Sequence, residues 1–220
     1  MTETGTRFPP VQIVDRDRGT ISTAQRRIAI VGAGRGRENA PFGDPTWCVT
    51  ALNEIASPRF DIHFELHPRS VQSEWDFRCL RDISTPCYVL DPDEWAPGEI
   101  QRPVRYPLES IMQTFRRKYF TNTFAMEVAL ALWLGYQEIG LWGCGLFEGT
   151  SRERLVERAC LDYWIGRAEG MGVRVVEDSM LAYQPFLYGK DYHDEKSEIE
   201  RQVALCREVM EFERVHGPQG

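Results

Sequence analysis

The chain has 220 residues, 42% hydrophobic and 11% aromatic, enough apolar material for one domain with a real core, which excludes global disorder. With 26 basic and 33 acidic residues the net charge is -7, which argues against a broad nucleic-acid surface but allows a local basic patch. No apolar run is long enough to span a bilayer, residues 1–10 hold no apolar signal core, and the 6 cysteines include no Cys-x-x-Cys pair. A cytoplasmic location with buried or incidental thiols is therefore expected, without a disulfide framework or zinc site.

Residues 1–25 carry no sustained period and read as a tail or lightly docked arm. Residues 27–31 are a β-branched run ending in glycines, the pattern of a buried parallel strand that delivers a loop. Residues 47–52 and 62–66 read as the second and third strands, residues 71–81 as a helix, and residues 86–90 as a fourth strand. Residues 91–107 are rich in proline and acids, which excludes helix over most of the stretch and reads as a lid or binding loop. Residues 121–135 are the clearest helix, capped by Thr121 or Asn122 and stopped by Gly135. A fifth strand at 138–143, a long helix at 152–170 and a strand at 173–176 follow. Residues 195–215 read as a charged amphipathic helix.

This alternation predicts a single α/β domain with a Rossmann-like open, mostly parallel sheet and helices on both faces. It would span residues 26–190, between the arm at 1–25 and a C-terminal helix at 191–220. Right-handed crossovers would bring every loop at a strand's carboxyl end to one edge, where ligands bind.

Several groups on that edge carry chemistry. Gly32, Gly34 and Gly36 form a loop in which backbone N–H groups can approach a phosphate, with Arg35 and Arg37 adding charge. The spacing matches neither the dinucleotide fingerprint nor the Walker pattern, and a tight turn with solvated arginines accounts for it equally well. Asn53 can read a base or ribose edge, or simply occupy a turn. His63, Glu65 and His67 alternate onto one face of a strand; His67, at the carboxyl end, is the better acid–base candidate, while His63 reads as packed in the sheet. Thr121, Asn122 and Thr123 open the best helix and offer a ribose or anion site beyond plain capping. Gly143 starts the loop after the fifth strand on the same edge. His193, flanked by Asp191 and Asp194, is either a base or part of a solvated helix start, and Arg116, Arg117 and Lys118 read as surface charge.

The runs 28–34, 40–47 and 52–53, the sequence Phe64-Glu65-Leu66-His67, the run 119–123, and the glycine patterns around 135–143 and 166–173 together resemble a family of uncharacterised phage proteins. The likeness covers residues 27–190. More distantly, the order of motifs is similar to bacterial sialyltransferases and to the archaeal 6-hydroxymethylpterin pyrophosphokinase family. The sialyltransferase resemblance implies that Gly32, Gly34, Asn53, Thr121, Asn122 and Thr123 hold a cytidine nucleotide without metal. It also implies a catalytic base late in the chain, for which His193 is the candidate. Where those enzymes end a strand in Gly-x-Asp, this chain has Gly143-Cys144-Gly145, so that acid is missing.

The implied function is a nucleotide-sugar-dependent glycosyltransferase, with the nucleotide-sugar as co-substrate and no firmly implied cofactor. Its acceptor would be a glycan or, in a phage, a modified DNA base. The alternatives are a pyrophosphokinase-like transferase using ATP and magnesium, or a non-catalytic nucleotide-binding protein. The C-terminal helix can dock on its own sheet or on a second subunit, so a homo-oligomer stays open.

Overall fold

The computed structural model describes residues 13–15, 19–21, 26–34, 36–53, 58–146 and 151–178. Seven strands form one open, wholly parallel sheet: β3 (Arg27–Val31), β4 (Trp47–Leu52), β5 (Ile62–Phe64), β6 (Cys87–Val89), β7 (Pro103–Arg105), β8 (Glu138–Trp142) and β9 (Arg174–Asp178). Their order is β7-β6-β5-β4-β3-β8-β9. Successive strands thus step outward from β3 on one side, and β8 then returns to its other side. That reversal makes the carboxyl ends of β3 and β8 a topological switch point. Within the arm, β1 (Ile13–Asp15) pairs antiparallel with β2 (Gly19–Ile21).

Alternation along the strands builds two faces. Ile28 and Ile30 of β3, Cys48 and Leu52 of β4, Phe64 of β5, and Ile139 and Leu141 of β8 belong to the large core under α2 (Leu108–Phe115), α3 (Thr123–Leu134) and α4 (Ser151–Gly170). Ala29, Val31, Val49 and Trp142 face the other way. Further along that second face, Cys87 and Val89 pack with Leu80 of α1 (Glu74–Arg81). The sheet therefore carries helices on both faces, as expected.

Two elements lie where the sequence reads as loop or carries no helix signal. β7 begins at Pro103, which an edge strand tolerates because one side of its ladder needs no N–H. α2 follows Pro107 and buries Ile111 and Phe115, with Leu108 packed on the same core, an i, i+3, i+7 stripe only eight residues long. The stretch 91–102 is packed, not lid-like: Pro92, Trp95 and Ile100 are buried, and Arg69 grips Glu99 through two hydrogen bonds of 2.8 and 2.6 Å. That guanidinium holds the Glu99 carboxyl down to about 2.

α3 is apolar on nearly every side, which fits a central helix covered by α2, α4 and the sheet. Asn122 caps it by accepting from the Ala125 N–H at 2.8 Å, and Gly135 ends it in the left-handed region at φ 81. The expected C-terminal helix at 195–215 lies outside the described residues.

Candidate functional site

At the switch point, backbone meets backbone. The Gly32 N–H donates to the Trp142 carbonyl at 2.8 Å, and the Gly34 N–H donates to the Gly143 carbonyl at 2.8 Å. A Cβ on Gly32 would collide with the Gly143 carbonyl and stand 2.7 Å from Phe124 Cζ; one on Gly34 would lie 2.8 Å from the same carbonyl. Gly143, at φ +66, has equally little room: its Cβ would meet the Gly32 oxygen at 2.8 Å and Arg37 Cβ at 2.9 Å. These glycines thus let two loops interlock, and two of the N–H groups expected to face a phosphate are already engaged.

The interlock also fixes its neighbours. Gly36, at φ 86, turns the chain so that Arg37 enters a short 3-10 helix against Gly143. Phe124 brings the first turn of α3 onto Gly32, so the positive end of that helix faces the same edge. Of the helix-start residues, the Thr121 hydroxyl donates to the Val156 carbonyl at 3.2 Å and the Asn122 amide to the Glu157 carbonyl at 2.8 Å, joining α3 to α4. Thr123 alone among the three makes no side-chain hydrogen bond within the described residues. Gly145, where the resemblance would place an acid, offers its carbonyl to Arg158 at 3.4 Å.

The ends of β4 and β5 are organised differently. Asn53 follows β4 in the left-handed region, φ 51, a conformation Asn tolerates better than most residues. Its N–H donates to the Phe64 carbonyl at 2.9 Å, yet its side-chain Oδ1 is buried with no hydrogen-bond partner among the described residues. Next to it, Glu65 is 2% exposed. One oxygen of Glu65 accepts from the His67 backbone N–H at 3.1 Å and meets His67 Nδ1 at 2.9 Å. His67 itself is exposed, and the carboxylate fixes its ring through Nδ1.

His63 does not join this pair. It is 1% exposed, neither ring nitrogen has a partner of good hydrogen-bond geometry among the described residues, and burial pushes it down to about 4 against the opposing pull of Glu65 and the Asn53 backbone. It packs against Phe60 at 5.6 Å between ring centroids. No group of three or more His, Cys, Asp or Glu gathers as a metal site among the described residues. Arg35 and His193 lie outside the described residues.

One polar residue escaped sequence reasoning. Glu127 is fully buried in α3, 3.4 Å from the Thr50 hydroxyl, and burial raises its carboxyl well above the ordinary carboxylate range. Its signal was available as the lone acid inside an otherwise apolar helix.

No family model and no curated protein matches the chain. Among solved structures it is similar to the monofunctional alpha-2,3-sialyltransferase Cst-I from Campylobacter jejuni, with a TM-score of 0.48 and 12% identity over 86% of this chain and 99% of that one. Among the described residues, no helix is long and apolar enough to cross a membrane.

Proposed function

We propose that the chain is a nucleotide-sugar-dependent glycosyltransferase with His67 as its base. The Glu65–His67 pair carries this reading: a buried carboxylate orients an exposed imidazole on the edge of a parallel sheet where ligands bind. The donor class comes from the sequence resemblance to sialyltransferases.

In this reading the donor phosphate lies at the α3 N-terminus, beside Gly32, Gly34, Gly143 and Arg37, with Thr123 within the first turn and Thr121 and Asn122 framing it. Arg35 belongs to the same loop. The unpartnered Oδ1 of Asn53 accepts from a ribose hydroxyl or a base amine. From β3 to β5 is two strand spacings, about 10 Å, so a sugar attached through the phosphate can reach from the glycine loop to His67. His67 Nε2 takes the proton of an acceptor hydroxyl as that oxygen bonds to the anomeric carbon. The bond from that carbon to the phosphate oxygen breaks, and the nucleotide leaves with the electron pair. His193, the alternative base, is tested by the same substitution as His67.

A thermal-shift series with CMP, UDP, UDP-sugars, ATP with magnesium, and NAD tests the donor class. The expected result is stabilisation by a pyrimidine nucleotide without metal, lost in Asn53→Ala. A response to ATP only with magnesium would replace this reading by a pyrophosphokinase-like one. Nucleotide binding without turnover on any acceptor would leave a binding protein.

A further inference from the structure

Arg116, Arg117 and Lys118 follow α2, and all three are exposed. None of them, nor Arg167 of α4, has an ion pair among the described residues. Arg116 ends α2 in the left-handed region at φ 52, a strained place for a residue other than glycine. The segment is pinned along α4. The Tyr119 carbonyl accepts from Trp164 Nε1 at 2.9 Å, and the Tyr119 and Tyr163 rings meet edge to face with centroids 5.8 Å apart. This brings two guanidiniums onto one oxygen: the Tyr163 hydroxyl accepts from Arg117 Nε at 2.9 Å and from Arg167 Nη1 at 3.1 Å. Each guanidinium also lies over a ring, Arg117 5.3 Å from the centre of Tyr163 and Arg167 5.0 Å from that of Phe115. Partial burial opposes ionisation of the Tyr163 phenol, and the two guanidiniums outweigh it, so the phenol is lowered below its ordinary value.

We infer that Arg117 and Arg167, with Arg116 and Lys118 at their side, bind the dianionic phosphate of a small phosphomonoester. Two like charges face each other across a neutral oxygen that cancels neither. The carboxyl end of α2 sets about half a negative charge beneath Arg116, too little for four cations. Glu109 stands in the first turn of α2, at the far end of that helix. The acids of α4 lie toward the sheet edge: Glu177 of β9 is raised first by burial and then by Asp162 and Glu169. A guanidinium carries five N–H donors in a planar fork. Tyr163 takes one from each arginine, and the rings beneath hold both forks in place. A tetrahedral phosphate can bridge them with charge-assisted hydrogen bonds and relieve their repulsion. A long polyanion is disfavoured, because its next phosphates would meet the acidic flank of α4 in a chain of net charge -7. The site is separate from that of the proposed reaction. Tyr163 and Arg167 lie in the second half of α4, which leads from the carboxyl end of β8 to the amino end of β9. It stands whether or not that reaction occurs.

The test is a titration of the full, nitrogen-15-labelled chain with inorganic phosphate at constant ionic strength, read at the arginine Nε–H resonances, with chloride as the control anion. Arg117→Gln and Arg167→Gln each remove one resonance and so assign the pair. Both resonances should move along one binding curve with phosphate and stay still with chloride. Glycerol 3-phosphate should reproduce the shifts. Each variant should weaken phosphate binding about ten-fold or more. Arg78→Gln removes another exposed arginine without an ion pair among the described residues, on α1, and should leave binding unchanged. Arg117 is exposed, so its variant should fold; Arg167→Lys, which keeps the charge and loses the fork, serves if Arg167→Gln melts early. Resonances that do not move, an equal response to chloride, or equal weakening by Arg78→Gln would each overturn the inference. So would phosphatidic acid vesicles or a single-stranded oligonucleotide that shift the pair where phosphate and glycerol 3-phosphate do not, since the patch would then be a membrane or nucleic-acid contact.

Discussion

The ends of β3 and β8 and the ends of β4 and β5 share one edge of one sheet, but they dispose of their polar groups in opposite ways. At the first pair, Gly32 and Gly34 give their N–H groups to the partner loop, and Thr121 and Asn122 tie α3 to α4. At the second, Asn53 Oδ1 has no hydrogen-bond partner among the described residues, and a buried carboxylate orients an exposed imidazole. Glycines that look like a phosphate cradle in sequence serve first as an interlock. The Asn53 side chain and the Glu65–His67 pair stand one and two strands away, after β4 and β5. A glycine-rich loop after a strand thus marks the edge where a site forms without itself being the reactive part.

Substitutions at the two ends should separate cleanly. The largest effect is expected from His67→Ala, which should lower kcat about 10²- to 10⁴-fold as a lost general base, while the stability loss stays at about 1 kcal/mol, because the buried Glu65 carboxylate loses one partner and keeps the His67 backbone N–H. Glu65→Gln should also lower kcat and alter the pH profile, since it changes the partner that orients the ring. Steady-state kinetics beside urea unfolding reads both quantities. A His67→Ala variant with full turnover would dissolve the distinction between the two ends.

Gly32→Ala should do the reverse. Its Cβ meets the Gly143 backbone carbonyl, which cannot yield without moving the loop after β8, and the tip of the Phe124 ring. A stability loss of about 3 kcal/mol is expected from overpacking against that backbone carbonyl, read from the urea midpoint. Loss of donor binding with unchanged stability would instead return Gly32 to the role of a direct phosphate contact.

Acid should strike the β4–β5 end first. His63, beside Phe60, Asn53, Glu65 and Cys87, is pushed by burial from its ordinary 6.5 down to about 4. As pH falls, the unfolded chain binds this proton before the folded one does. The contribution is therefore complete above pH 6.5 and is lost progressively toward pH 4, with a ceiling of about 3 kcal/mol at about 1.4 kcal/mol per pH unit. His63→Leu should flatten the dependence of the urea midpoint on pH in that window. An unchanged slope would show that other groups carry it.

Most of the architecture was legible because it rests on period and punctuation. The run 27–31, the Asn122 cap and the Gly135 stop lie where sequence places them, since each follows from local backbone chemistry. β7 and α2 were not legible: three residues starting at proline hold too little pattern, and the ladder that makes them a strand comes from distant β6. Within the candidate site, the sequence pointed to His67 and Asn53 by their position after strands. It could not tell that the glycine N–H groups are spent, because their acceptors lie more than a hundred residues away in Trp142 and Gly143.

Glu127 provides the smallest expected effect and the sharpest sign. It lies in the core on the helix that carries Phe124 to the glycine interlock, and burial keeps its carboxyl protonated well above the ordinary range. The folded form therefore holds a proton that the unfolded chain releases near 4.5. Its stabilising share is complete below that value and is lost as pH rises toward the raised folded value, the opposite of His63. Gln has the shape of the protonated acid and cannot ionise, so Glu127→Gln should stay within about 1 kcal/mol of the parent at acidic pH and gain on it as pH rises. Urea midpoints of the parent, Glu127→Gln and His63→Leu across the same pH series then assign each slope to one residue. A Glu127→Gln variant that tracks the parent at every pH would mean that the carboxyl shares its charge with a group in the core other than Thr50.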